Sequence, residues 1–239
     1  MPRFRQGGLV DNKLAAGFDP VTEADREAEK AIRALIRDAF PDHGILGEEF
    51  GLENGDARHL WVIDPIDGTR AFISGMPLWG TLVGLTDGGD AVAGLMSQPF
   101  IGELFWSDGQ GAHYEGPHGE RMLSTRREVT ALGDAILCTT TPALFTGQTR
   151  VAYDRLEEKV RLARYGTDCY AYAMLAAGNV DLVVETGLQP YDIIALVPII
   201  EQAGGVITTW DGGAAEQAGS IVAAATPQLH EAALKLLNG

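Results

Sequence analysis

Two cysteines occur in 239 residues, Cys138 and Cys169, far apart and in no CxxC pair. That scarcity argues against a disulfide framework or a thiolate zinc site, and a reducing cytoplasm is the expected compartment. The five histidines (43, 59, 113, 118 and 230) show no HxxH or HExxH spacing, which weakens a zinc-hydrolase reading. No glycine-rich Rossmann turn or Walker loop is present, so NAD and ATP chemistry lose ground. The start, MPRFRQGG, lacks the apolar h-region of a signal peptide, and runs such as IIALVPII are too short to span a bilayer. Positive charge is scarce as well. With 18 Lys and Arg against 33 Asp and Glu, the net charge of -15 argues against a nucleic-acid or anionic-membrane surface. An anionic small substrate stays possible, because a bound divalent cation reverses the local field.

The remaining composition is ordinary: 46% apolar and 21% charged, with length for one large domain or two packed halves. Residues 22–40 carry Ala28, Ile32, Leu35, Ile36 and Ala39 at helical spacing, with Thr22 and Asp25 as a capping box and Pro41 as the stop. HGILGEEFG is a short apolar step closing on Glu48 and Glu49, and residues 60–64 read as a buried strand that Pro65 ends. From Trp79 to Tyr114 the pattern is an antiparallel meander. GDAILCTT predicts a strand and YDRLEEKVRLA a helix after it. Residues 168–177 predict a buried helix, DLVVE a strand, and YDIIALVPIIEQAGG a helix kinked at Pro198. GVITTW and SIVAAAT supply late strands before a terminal helix. Helices interleaved with long meanders predict layered α+β packing rather than a doubly wound parallel sheet. The expected division is an N-terminal metal-binding half, 1–125, and a C-terminal α/β half, 126–239, with the active site between them.

The informative stretch is LWVIDPIDGTRAF, residues 60–72. Asp64 precedes a proline and is held extended, so the backbone aims its side chain. Asp67 lies just past the turn, and Gly68-Thr69 opens a helical segment whose free N–H groups favour an anion. Two carboxylates with the Ile66 carbonyl, and no His or Cys nearby, form the donor set of Mg²⁺. Two carboxylates beside an anion site suggest a ligand bridging two ions, as in metal-assisted phosphoryl hydrolysis. Asp-Pro and Asp-Gly alone are ordinary turn chemistry, but the whole string is more specific than its dipeptides.

DPIDGT after an apolar strand, GEE upstream, and YD opening a helix that ends in AGG resemble the inositol monophosphatase superfamily in order along almost the whole chain. One departure is that the helix usually preceding VTEAD is mostly missing, which bears on the packing or oligomerisation of that edge. The resemblance implies a five-layer αβαβα fold and a Mg²⁺-dependent phosphomonoesterase with two or three ions per site, commonly a homodimer. It makes Glu48, Asp64 and the Ile66 carbonyl ligands of a first metal, and Asp64, Asp67 and Asp192 ligands of a second. It makes Thr69 and Glu48 the residues that orient the attacking water, with Asp25 bonded to Thr69, and gives the phosphate to the Gly68 and Thr69 amides. Asp25 as helix cap, Asp192 as a first-turn acid favoured by the helix dipole, and Glu185 as a solvated strand end are the structural alternatives.

For the substrate, DGTRAFISG and QPYD, with Tyr191-Asp192 where inositol phosphatases usually have Trp-Asp, look more like the histidinol-phosphate phosphatase branch. Gly166-Thr167-Asp168 places an acid where the inositol phosphatases tend to carry a small residue. Asp168 and Glu185 suit the positive end of histidinol phosphate, although inositol hydroxyls also accept carboxylate partners. Arg70 is either a substrate contact or a structural ion pair. The expected substrate is thus a small phosphorylated metabolite, histidinol phosphate, with inositol 1-phosphate or a related sugar phosphate as the alternative. A metal-binding scaffold without turnover is the reading from another class.

Overall fold

Short apolar runs separated by glycine turns resolve into two large sheets in the computed structural model, which describes residues 3–6, 10–12 and 20–239. Part of MPRFRQGG, the start that lacks an apolar h-region, lies outside these residues. A two-stranded ribbon, β1 (Val10–Asn12) with β2 (Pro20–Thr22), leads into helix α1 (Glu23–Ala39). Then come β3 (Gly44–Gly47), β4 (Gly51–Glu53), β5 (His59–Asp67) and the short helix α2 (Thr69–Ile73). The expected meander continues the chain as β6 (Gly80–Asp87), β7 (Asp90–Gln98), β8 (Glu103–Ser107) and β9 (Ala112–Gly116), with one further strand, β10 (Gly119–Met122). These form an eight-stranded sheet in the order β10-β9-β8-β7-β6-β5-β3-β4, antiparallel except between β3 and β5.

The rest of the chain gives β11 (Ile136–Thr139), α3 (Gly147–Glu157), β12 (Leu162–Tyr165), α4 (Asp168–Ala176), β13 (Leu182–Leu188), α5 (Pro190–Ile193) and α6 (Leu196–Gln202). It closes with β14 (Val206–Thr209), β15 (Gly219–Ala224) and α7 (Pro227–Asn238). The second sheet runs β12-β11-β13-β15-β14. Alternate residues of its strands face two different cores. Val183, Ile221 and Ala223 pack toward α4–α6 and the large sheet, whereas Leu182, Val184, Val222 and Ala224 pack on α3 and α7. A strand covered on both faces reads as an unbroken apolar run, which is why DLVVE shows no alternation. With Ile36 of α1 packed on Ile45 and Ile63, five layers result: α1, large sheet, α4–α6, small sheet, α3 with α7. This is the α+β, αβαβα sandwich.

Four local expectations need correction. The helix expected over YDRLEEKVRLA spans Gly147–Glu157, and Leu162–Tyr165 is a strand pairing parallel with β11 at the sheet edge. The kink expected at Pro198 lies earlier, at Ile194–Ala195, because proline has no N–H to give the carbonyl four residues back and its ring crowds that carbonyl. The break also suits the neighbouring sheet: a Cβ on Gly94 would lie 1.8 Å from the Ala195 carbonyl oxygen, so only glycine admits this approach. Pro65 does not end its strand, since pairing with β6 resumes at Asp67 after a register shift. Finally, the inward face of α1 is only partly the apolar stripe, through buried Ile36 and half-buried Ile32. Leu35 is 72% exposed and Ala39 is exposed, while Asp25, Glu29 and Arg33 are buried.

Candidate metal and phosphate site

In a regular strand, side chains alternate between faces, so Asp64 and Asp67, three apart, would point to opposite sides. The irregularity at Pro65-Ile66 removes that conflict, since an extra residue in one strand reverses the facing of the residues beyond it. The Thr81 hydroxyl fixes the irregular turn by donating to the Pro65 carbonyl at 2.8 Å. Asp64 Oδ1 accepts from the Ile66 amide at 3.0 Å, which orients its carboxyl. Gly68 then takes φ 82°, a left-handed conformation that glycine adopts without strain, and α2 starts at Thr69. The Thr69 hydroxyl donates to the Ile66 carbonyl at 3.1 Å, leaving that oxygen a second lone pair.

Asp192 enters from α5. One of its oxygens caps that helix by accepting from the Gln189 amide at 2.7 Å, so the first-turn role is real. Its carboxylate also joins those of Asp64 and Asp67, one oxygen of each lying within 4.8 Å of the others. The capping and clustering readings are compatible in one residue. Glu48 comes from the turn between β3 and β4, its amide donating to the Ile63 carbonyl at 3.1 Å, and its carboxyl bonds that of Asp64. Burial, then the negative charges of Glu48, Asp67 and Asp192, push the Asp64 carboxyl well above the ordinary carboxylate range. Burial and the charges of Asp168 and Asp192 do the same to Asp67, opposed by hydrogen bonds from Cys169. Carboxylates are hard oxygen donors, and like charges packed this closely are relieved by a divalent cation. The residues present fit such an ion.

A second acidic group adjoins the first. Asp168 opens α4 at φ 42°, and its Oδ1 accepts from the Thr140 hydroxyl at 3.3 Å. Burial raises its carboxyl, while Thr140 and the positive charge of Arg70 draw it back down. Arg70 is thus close enough to act on Asp168, although its side chain sits at the exposed surface. Glu185 is buried rather than a solvated strand end. It accepts from the Thr140 amide at 2.6 Å, the Thr140 hydroxyl at 3.0 Å and the Thr139 hydroxyl at 3.2 Å. Burial nonetheless pushes its carboxyl up to about 7. Gly166 (φ 75°) and Thr167 form the bend before Asp168, with the Gly166 amide on the Thr140 carbonyl at 2.8 Å. Asp25 Oδ2 accepts from both the amide and the hydroxyl of Thr22, at 2.8 and 2.6 Å, so its capping role is observed.

The sequence pattern does not mark two contributors. Thr140 joins Asp168 to Glu185, and its only sequence signal is its place after the strand ILCT. Cys169 gives its amide to Asp67 Oδ2 at 2.7 Å and sets its thiol against the same carboxyl. Nothing in its spacing signals that contact, because 102 residues separate the partners.

Comparison with known proteins places this geometry. The model of the inositol monophosphatase family matches residues 3–239. A bifunctional phosphatase IMPL2, chloroplastic, of Arabidopsis thaliana is 43% identical over 232 residues, 92% of this chain and 66% of that protein. A histidinol-phosphatase of Streptomyces coelicolor is 36% identical across 100% of this chain and 91% of its own length. The solved structure of an inositol monophosphatase from Zymomonas mobilis superposes with a TM-score of 0.87 at 41% identity, covering 100% of this chain and 91% of that one. Among the described residues no helix is long and apolar enough to cross a membrane.

Proposed function

The chain belongs to the inositol monophosphatase family and is a phosphatase of that family, and from this premise we propose that it is a Mg²⁺-dependent histidinol-phosphate phosphatase acting by direct attack of water. The observation that carries the metal-dependent reading is the convergence of Asp64, Asp67 and Asp192 within 4.8 Å, with Glu48 against Asp64. These four carboxylates and the Ile66 carbonyl would hold Mg²⁺. When bound, the cation polarises the phosphoryl oxygens and makes water a nucleophile at neutral pH. The Thr69 hydroxyl donates to Ile66 and keeps its lone pairs to orient that water, and Glu48 takes the proton. The amides at Gly68 and Thr69 receive the phosphate. The ester P–O bond breaks as the water oxygen bonds to phosphorus, and the leaving alkoxide takes up the proton that Glu48 removed from the water, without a covalent enzyme intermediate.

The substrate assignment draws on the second acidic group. Asp168 and Glu185, joined through Thr140, set two acidic side chains beside the metal group, and the ammonium and imidazole end of histidinol phosphate would favour their charged forms. A histidinol-phosphatase similar over the full chain supports this reading. The Zymomonas inositol monophosphatase, at 41% identity, favours inositol 1-phosphate as the second reading.

Phosphate release with and without Mg²⁺ tests both across histidinol phosphate, inositol 1-phosphate and adenosine 3′,5′-bisphosphate. Histidinol phosphate is expected to give the highest kcat/KM, and only with Mg²⁺. A higher kcat/KM for inositol 1-phosphate would replace the substrate assignment. Release from none of the three would leave the scaffold reading standing.

A further inference from the structure

Helix α1 turns three charged residues inward at i, i+4 spacing, and two of them, Glu29 and Arg33, are 0% and 3% exposed. Arg33 Nε donates to Glu29 Oε1 at 2.7 Å. A buried ion pair repays its desolvation only when its remaining donors and acceptors are satisfied as well. Here those bonds converge on one place, the turn that carries Glu48. Glu29 accepts from the amides of Glu49 at 2.7 Å and Phe50 at 3.3 Å. Arg33 donates to the Gly51 carbonyl at 2.5 Å and to Glu53 at 3.3 Å. At the other side of the turn, a Cβ on Gly47 would lie 1.9 Å from Glu29 Oε1, so the backbone is stripped to make room for this carboxylate. The Glu48 amide is fastened in turn to Ile63, the residue before Asp64.

We propose that Glu29, oriented by Arg33, is a positioning residue that presets Glu48 against Asp64 for metal binding. An apolar contact between α1 and the turn would hold the two together but would not fix the direction in which Glu48 leaves the backbone. Bonds to two successive amides just after Glu48 do fix it. The inference rests on the metal-dependent reading above, and it concerns Mg²⁺ affinity rather than substrate choice.

The test is Mg²⁺ affinity by titration calorimetry on the whole protein without substrate, with amide exchange read at Glu49 and Phe50. Glu29→Asp keeps the charge opposite Arg33 but withdraws the carboxylate from the turn. It is expected to weaken Mg²⁺ binding about tenfold, as loss of an outer partner does elsewhere, and to speed exchange at both amides. The control, Leu229→Ala, cuts a fully buried residue in the core under α7 and is expected to lower Tm with Mg²⁺ affinity unchanged. Wild-type affinity in folded Glu29→Asp overturns the proposal, as does an equal weakening in Leu229→Ala. Should Glu29→Asp fail to fold, Arg33→Lys, which removes the guanidinium fork, carries the same expectation and the same overturning result. A wild-type protein that binds no Mg²⁺ overturns both this inference and the reading beneath it, whereas wild-type binding with an unaffected variant overturns this inference alone.

Discussion

Two buried aspartates in this chain have opposite surroundings. Asp181, fully buried just before β13, receives a two-pronged bond from Arg126 and the Ile136 amide at 2.7 Å. Asp64, equally buried at the bend of β5, faces Glu48, Asp67 and Asp192. The first acid has its countercharge built in and ties the small sheet together. The second is surrounded by its own sign, an arrangement that costs stability until a cation enters. A buried carboxylate with a built-in partner is architecture, and one among other carboxylates is prepared for a ligand.

The largest effect should come from the second kind. Asp67→Asn is expected to lower kcat by about a thousandfold or more, which is about 4 kcal/mol of transition-state stabilisation. In metal-free protein the same change removes a repelled charge, so Tm should not fall. Near-wild-type turnover in this variant would remove Asp67 from the mechanism. Arg126→Met should do the reverse. Stripping the partner from a buried charge costs about 3 kcal/mol, the lower end of the usual range, because Arg126 is a quarter exposed and water can reach the gap. Denaturant unfolding should show that loss, with kcat per folded molecule unchanged. A fall in kcat as large as that of Asp67→Asn would erase the distinction between the two sites.

Glu185 lies between these cases, because three donors hold it and burial still pushes it up to about 7 from an ordinary 4.5. Below pH 4.5 the group is protonated in both folded and unfolded chains and contributes nothing to the pH dependence. Between 4.5 and 7 the folded protein holds the proton longer, so its stability declines as pH rises, and above 7 the penalty is constant. Asp64 and Asp67 shift in the same direction, so the metal-free protein should lose stability with rising pH and Mg²⁺ should restore it. Glu185→Gln is expected to flatten its share of that decline, making the variant more stable than wild type at pH 8 by about 3 kcal/mol. Identical pH profiles in the two proteins would show that the three donors already offset the burial.

The features legible in the sequence are local. DPIDGT places a pre-proline acid, a backbone carbonyl, a second acid and a glycine within six residues, so chain geometry alone nearly assembles it. The Thr22–Asp25 cap is likewise a four-residue matter. The buried face of α1 is misread from the sequence because hydrophobic periodicity scores Leu35 as inward and Glu29 as outward. The reverse holds, since Glu29 satisfies amides of a turn 20 residues away. Thr140 escapes notice for a related reason: it reaches Glu185 across 45 residues, through the pairing of β11 with β13. Such contacts depend on strand order, which a single sequence does not display.

Asp168 gives the smallest and most selective test. Its φ of 42° lies in the left-handed region, which asparagine and aspartate tolerate and alanine does not, so Asp168→Asn removes the charge without adding backbone strain. Alanine would mix a folding defect into the kinetics. If the carboxylate meets the positive end of histidinol phosphate, Asp168→Asn should raise KM for that ester about tenfold, or about 1.4 kcal/mol, with kcat nearly unchanged. KM for inositol 1-phosphate should stay within about twofold, because an amide still bonds hydroxyls. Equal rises for both esters would mean that Asp168 acts by holding α4 and Arg70 in place, and the charge-based choice of substrate would then have no residue behind it.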